Sequence, residues 1–170
     1  KMGRLVEYIL LHLSVVLVVS TLTGSNNNYY NEPTGNKGLT DCSINHDFVT
    51  ITNVSSNIFG QTIKPGQKFY FKGIANIKKE LNWGIIHSTI THQFKNYVNL
   101  TFEDSKYNLC DISVYVTGKY CPLKPGIYHG IYKDSVSSLL WPGKYIFKII
   151  GYKEDNVELF CAMTEVIVEK

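Results

Sequence analysis

The sequence predicts an all-β protein built as a sandwich of two antiparallel sheets. Three observations carry this. Short segments of alternating apolar and polar residues recur along the chain, separated by turn signals such as Lys64-Pro65-Gly66-Gln67. Beyond residue 25 no stretch keeps a sustained helical period. The composition is 44% hydrophobic, with 12 tyrosines and 8 phenylalanines, and suits pleated surfaces on which flat rings pack. A chain of 170 residues makes one domain of ordinary size. A domain of about 150 residues buries roughly 70% of its unfolded surface, so a core needs no metal.

The first segment is of a different kind. Residues 1–25 have a positive start (Lys1, Arg4), an apolar stretch from Tyr8 to Val19, and small or polar residues from Ser20 to Ser25. This is the three-part layout of a secretory signal peptide, with cleavage expected after Ser20, Thr23 or Ser25. The apolar stretch holds His12 and Ser14 and falls short of the ~20 residues that a spanning helix needs. Residues 26–40, polar and rich in Asn and Gly, read as a flexible lead-in. Residues 41–170 then form the folded domain.

Strands follow one another through that domain. Residues 47–54 alternate, and the turn at 64–67 opens a strand over 68–77 with Phe69, Phe71, Gly73 and Ala75 on one face. Residues 83–94 bring Ile86, Ser88, Ile90 and Phe94 together, with His92 as the polar exception on that face. Shorter strands are expected over 96–102 and 112–116. Residues 127–133 follow the Pro125-Gly126 break, and 141–152 align Tyr145, Phe147 and Ile149. The last strand, 156–168, is apolar on both faces. Seven or eight strands at this spacing make a two-sheet sandwich.

The leader decides how the cysteines are read. All four (Cys42, Cys110, Cys121, Cys161) follow it, an even number in an oxidising compartment. Three connectivities are possible and the sequence does not choose among them. Chain proximity favours a local Cys110–Cys121 pair and a long Cys42–Cys161 pair. Zinc is disfavoured, because there is no C-x-x-C and the histidines are scattered at 12, 46, 87, 92 and 129. His87 and His92 point to opposite faces of one strand and cannot share a metal. No metal and no cofactor is expected.

Composition and motifs exclude other classes. Without Lys1, Arg4 and Glu7 the balance is 15 lysines against 13 acids, and no arginine remains, which argues against nucleic acid as a partner. His129 lacks a partner at meaningful spacing. There is no Gly-x-Ser-x-Gly elbow, phosphate loop or paired carboxylate, so no enzyme is expected. Asn53-Val54-Ser55 and Asn99-Leu100-Thr101 are glycosylation sequons, meaningful in a secreted chain.

In order along the chain stand Asp41-Cys42-Ser43, the Pro-Gly turn at 64–67, Leu109-Cys110, the 121–126 run Cys-Pro-Leu-Lys-Pro-Gly, the 141–152 segment, and Leu159-Phe160-Cys161. This ordered set, spanning 42–168, resembles the ML lipid-recognition family. It looks most similar to the phosphatidylglycerol/phosphatidylinositol transfer proteins, with the soluble sterol carrier of Niemann–Pick type C disease more distant. The resemblance implies an immunoglobulin-like sandwich whose sheets hold a lipid cavity between them. It also implies that Cys42–Cys161 joins the first and last strands and that Cys110–Cys121 ties a segment beside the cavity mouth. The short-range third cysteine pair of many members is missing here.

Strand alternation places Phe69, Phe71, Ile86, Ile90, Phe94, Tyr145, Phe147 and Ile149 on inward faces, where they are expected to line the lipid site. Val116, Tyr120, Pro122 and Leu123 are expected at its mouth, stiffened by Pro122 and Pro125. The function so implied is that of a monomeric secreted or lumenal carrier (endolysosomal or vacuolar lumen included) that takes a phospholipid or sterol and touches membranes transiently. Two alternatives stand beside it: a lipid sensor presenting its ligand to a receptor, and a secreted adhesion domain with a filled core.

Overall fold

A computed structural model describes residues 39–94 and 98–169 of the chain. The leader, and the lead-in as far as residue 38, lie outside the described residues. Thr40–Asp41 form β1, followed by β2 (Val49–Ser56), β3 (Thr62–Ile63), β4 (Lys68–Ile77), β5 (Ile85–Phe94) and β6 (Val98–Asn108). Helix α1 (Leu109–Thr117) leads to β7 (Gly126–Ser135), β8 (Gly143–Tyr152) and β9 (Glu158–Val168).

The strands divide between two sheets. One runs β1-β9-β8-β5-β6, with β3 parallel to β9, and the other runs β2-β4-β7. Pairing is otherwise antiparallel, and β4 and β7 keep one register from Lys68↔Ser135 to Ile77↔Gly126. The turn before β4 forms as its sequence requires. Gly66 adopts φ 78° and the Gln67 N–H donates to the Lys64 carbonyl at 3.0 Å.

Alternation decides which side chains enter the core. On β8, Tyr145, Phe147 and Ile149 are buried, and Ile86 and Ile90 of β5 lie on the same inner face. Phe69 and Phe71 of β4 meet edge to face at 5.7 Å. Burying each such side chain contributes roughly 1.5–3 kcal/mol. His92 is buried too, its ring tilted 43° against that of Tyr145 with centres 4.5 Å apart. Gly143 abuts its imidazole so closely that a Cβ would collide with the ring. Glu103, inward at the bulge between β5 and β6, accepts a 2.7 Å hydrogen bond from the Tyr107 hydroxyl.

One expectation needs correction. Residues 112–116, expected as a strand, lie inside α1. The bias of Ile112, Val114, Tyr115 and Val116 toward strands is overridden by helix-end chemistry and burial. The Asn108 side chain accepts from the Cys110 N–H at 2.8 Å, capping the start. Gly118 ends the helix in the left-handed region (φ 69°) and donates to the Val114 carbonyl. Leu109, Ile112 and Val116 form the buried stripe at helical spacing.

Both cross-links form between the residues that the resemblance implied. Cys42 pairs with Cys161 of β9, and Cys110 pairs with Cys121, with sequence separations of 119 and 11.

Candidate functional site: an apolar cavity under a stapled helix

The inward face of β4 reads Phe69, Phe71, Gly73, Ala75, Ile77, large at both ends and small between. Gly73 lies directly opposite Gly130 of β7, and Ala75 opposite Tyr128. Two facing glycines and an alanine leave the sheet without side chains to fill the space above them. A cavity of about 80 Å³ opens over this patch, between β2, β4 and β7 below and α1 above.

Its walls are apolar. Val49 and Ile51 come from β2, Leu109, Ile112 and Val116 from α1, and Phe160 from β9. The hydroxyl groups of its lining are Ser113, Thr117 and Tyr128. Thr117 Oγ1 donates to the Ser113 carbonyl at 2.9 Å, and the Tyr128 hydroxyl donates to the Lys124 carbonyl at 2.8 Å. Among the described residues no charged one lines the cavity. An apolar lining of this kind suits hydrocarbon, whereas a charged group would be stranded away from water.

The segment after α1 is held over the cavity at two points. The disulfide joins the first turn of α1 to Cys121, and Leu81 and Leu123 exchange backbone hydrogen bonds of 2.9 and 2.8 Å. Both leucines contribute to the wall. Thr117 and Tyr128 belong also to an outer depression formed with Lys119, Tyr120, Pro122, Lys124, Ile127 and His129. Tyr120 is 76% exposed there.

The expected site residues fall into separate places. Val116 and Leu123 line the cavity, and Tyr120 and Pro122 border the outer depression. Phe69, Phe71 and Phe147 border a second void of about 20 Å³ at the opposite end of the sandwich. Ile86, Ile90, Tyr145 and Ile149 are buried but border neither void. Phe94 lies on β5, and its side chain lies outside the described residues. The lining that sequence reasoning missed is Leu109, Ile112 and the small residues of β4 and β7. The Phe-to-Gly-to-Ala decrease along β4 was the available signal.

Helix α1 also leans on β7 through Tyr115, whose ring lies 5.7 Å from that of Tyr132. Tyr132 donates a 2.5 Å hydrogen bond to Asp134 Oδ2. Burial first, then that carboxylate, push the Tyr132 phenol well above its ordinary 10.0. Burial also raises Tyr145, whose hydroxyl donates to the Trp141 carbonyl at 2.9 Å. The folded state therefore holds these protons more tightly than the unfolded chain. Their stabilisation is complete below 10.0 and is lost as pH climbs above it. Melting temperature followed against pH should fall on this alkaline side, and Tyr132→Phe should flatten the fall. An unchanged alkaline slope in the variant would assign the loss to other groups.

A family model described as the ML domain matches residues 38–168. Among solved structures, a Niemann-Pick type C2 protein from the Japanese carpenter ant is similar in fold at 11% identity and a TM-score of 0.56. That likeness covers 77% of this chain and 98% of the ant protein. Chicken MD-1, solved in complex with lipid IVa, aligns at 12% identity and a TM-score of 0.43, covering 75% of this chain and 86% of its own. No curated protein matches the sequence.

Proposed function

The chain belongs to the ML domain family, and from that membership we propose that it carries a lipid whose apolar part occupies the cavity beneath α1. The observation that carries this reading is the uncharged void left by Gly73, Ala75 and Gly130. Moving a lipid tail from a bilayer into water costs about 0.8 kcal/mol per methylene. A tail of a dozen carbons therefore meets a barrier on the order of 10 kcal/mol, and an apolar cavity removes most of it. No covalent step is involved, and the protein acts as a carrier rather than a catalyst.

Pockets that enclose a whole small ligand measure roughly 300–1,000 Å³, against about 80 Å³ here. Ligand entry therefore has to push the lining apart. The part able to give is α1, nine residues long and cross-linked at Cys110 to the 121–124 segment that follows it. Phospholipid or sterol is the proposed cargo. The two disulfides suit an oxidising compartment, and with the leader they support a secreted or lumenal location, where the proposed monomer would exchange lipid at membranes. Asn53 and Asn99 are exposed on β2 and β6, each an edge strand, and are proposed glycan acceptors.

Native mass spectrometry of the protein secreted by expressing cells tests this reading. The expected result is a phospholipid or sterol that dissociates on activation, on a chain beginning between Thr21 and Asn26. A bare protein that also takes up no lipid from vesicles would refute the carrier.

A further inference from the structure

The outer faces of the two sheets differ in charge. On the six-stranded sheet, opposite charges meet: Lys144 pairs with Glu165 at 2.8 Å, and His87 with Asp104 at 2.6 Å. On the three-stranded sheet, the outward positions of β4 and β7 carry Lys68, Lys72 and Lys133 and no acid. Asp134 belongs to the other face, where it accepts from Tyr132. Among these lysines stand Ile127 and Ile131, 69% and 48% exposed. Alternation in a solvated sheet puts polar residues at such positions. Ile127 also borders the outer depression, which adds Lys119, Lys124 and the exposed ring of Tyr120. The face is thus one-signed, apolar at intervals, and continuous with the cavity mouth through Tyr128 and Thr117.

We propose that the outer face of β4 and β7 is a docking surface for an anionic lipid bilayer. Lysines at a membrane surface are attracted by acidic headgroups, each by roughly fivefold in partitioning (about 1 kcal/mol). The isoleucines and Tyr120 add apolar area at the headgroup boundary, where an amphipathic ring also sits well. Lying on this face brings the depression beside the cavity to the bilayer. In that respect the inference rests on the carrier reading, because it gives the lipid a path that avoids water.

Flotation with vesicles is the test, using phosphatidylcholine alone and phosphatidylcholine mixed with phosphatidylglycerol. The protein should float with the mixed vesicles, hardly at all with the neutral ones, and release as salt shortens the Debye length from about 10 Å toward 3 Å. Lys72→Glu/Lys133→Glu should weaken flotation at least about tenfold. The same change on the opposite sheet, Lys106→Glu/Lys148→Glu, should leave it nearly intact. Melting curves check folding, with Lys72→Gln/Lys133→Gln in reserve if the reversal unfolds the protein. Equal losses from the two sheets, or none from the first, would overturn the proposal. So would tight binding to heparin together with vesicle binding indifferent to Ile127→Ser/Ile131→Ser, since the partner would then be an acidic polymer. Cavity occupancy is read separately by native mass spectrometry. An empty cavity in a protein that docks through β4 and β7 would remove the carrier reading and leave the surface standing.

Discussion

Cys42→Ser/Cys161→Ser protein should lose about 5 kcal/mol of stability, against about 3 kcal/mol for Cys110→Ser/Cys121→Ser. The difference follows from loop closure, because the two bonds close sequence separations of 119 and 11 residues. A domain of this size is stable by roughly 5–15 kcal/mol, so the first loss removes a third or more of the total. Local structure compounds the effect. Strand β1 pairs with β9 only at Thr40↔Met163 and Asp41↔Ala162, and the backbone bond from Cys42 to the Cys161 carbonyl is long at 3.2 Å. Without the covalent tie, the start of the domain is left to hydrogen bonds: these, those of the Ser43 hydroxyl with the Cys161 backbone, and the Ile44 N–H donating to Glu158 Oε1 at 2.8 Å. The shorter bond has a different consequence: its loss frees the 121–124 strap from α1 and should speed lipid exchange more than it lowers the melting point. Denaturant unfolding and a lipid-exchange rate, measured on both variants, check this. Equal stability losses would show that chain entropy is not the source.

Much of the fold was legible because it depends on local rules. Alternation in 68–77 and 141–152 correctly assigned inner and outer residues, and the Pro-Gly turns fell where strands begin. The cysteine order within a family pattern anticipated the pairing. Helix α1 was not legible by propensity, since four of the five residues 112–116 favour strands. Its signals lay at its ends, in Asn108 and Gly118, and in the spacing of Leu109, Ile112 and Val116.

The cavity was harder to read for a related reason. Large inward residues such as Phe69 and Phe147 fill space rather than leave it, and these pack around the smaller void. Space remains where inward positions are small. Gly73 faces Gly130 only because β4 and β7 pair in this register, and pairing between distant strands cannot be read from either strand alone. The outward isoleucines of β7 follow from the same register. Of the residues expected at the mouth, Val116 and Leu123 border the cavity, and Tyr120 and Pro122 border the outer depression beside it.

Val116→Trp should abolish lipid uptake while leaving the protein folded, and Ile90→Trp should do the reverse in order of cause. Both positions are buried, at 8% and 1% exposure, so burial alone does not separate them. Val116 lies on one short helix and faces the 80 Å³ cavity. An indole there grows into space that is already empty, and α1 can shift outward to relieve what remains. Ile90 sits at the centre of the six-stranded sheet, between Phe147 of β8 and Glu103 of β6, and borders no void. Overpacking such a site costs about 1–3 kcal/mol, and more where flanking strands cannot move. Thermal melts and fluorescent-lipid binding, measured on both variants, give the comparison. For Val116→Trp the melting temperature should stay near the parent value while binding falls tenfold or more. For Ile90→Trp any loss of binding should track the unfolded fraction. If Val116→Trp melts as early as Ile90→Trp, α1 is packed solid against the sheet. If it melts normally and binds lipid normally, the ligand lies elsewhere than under the helix.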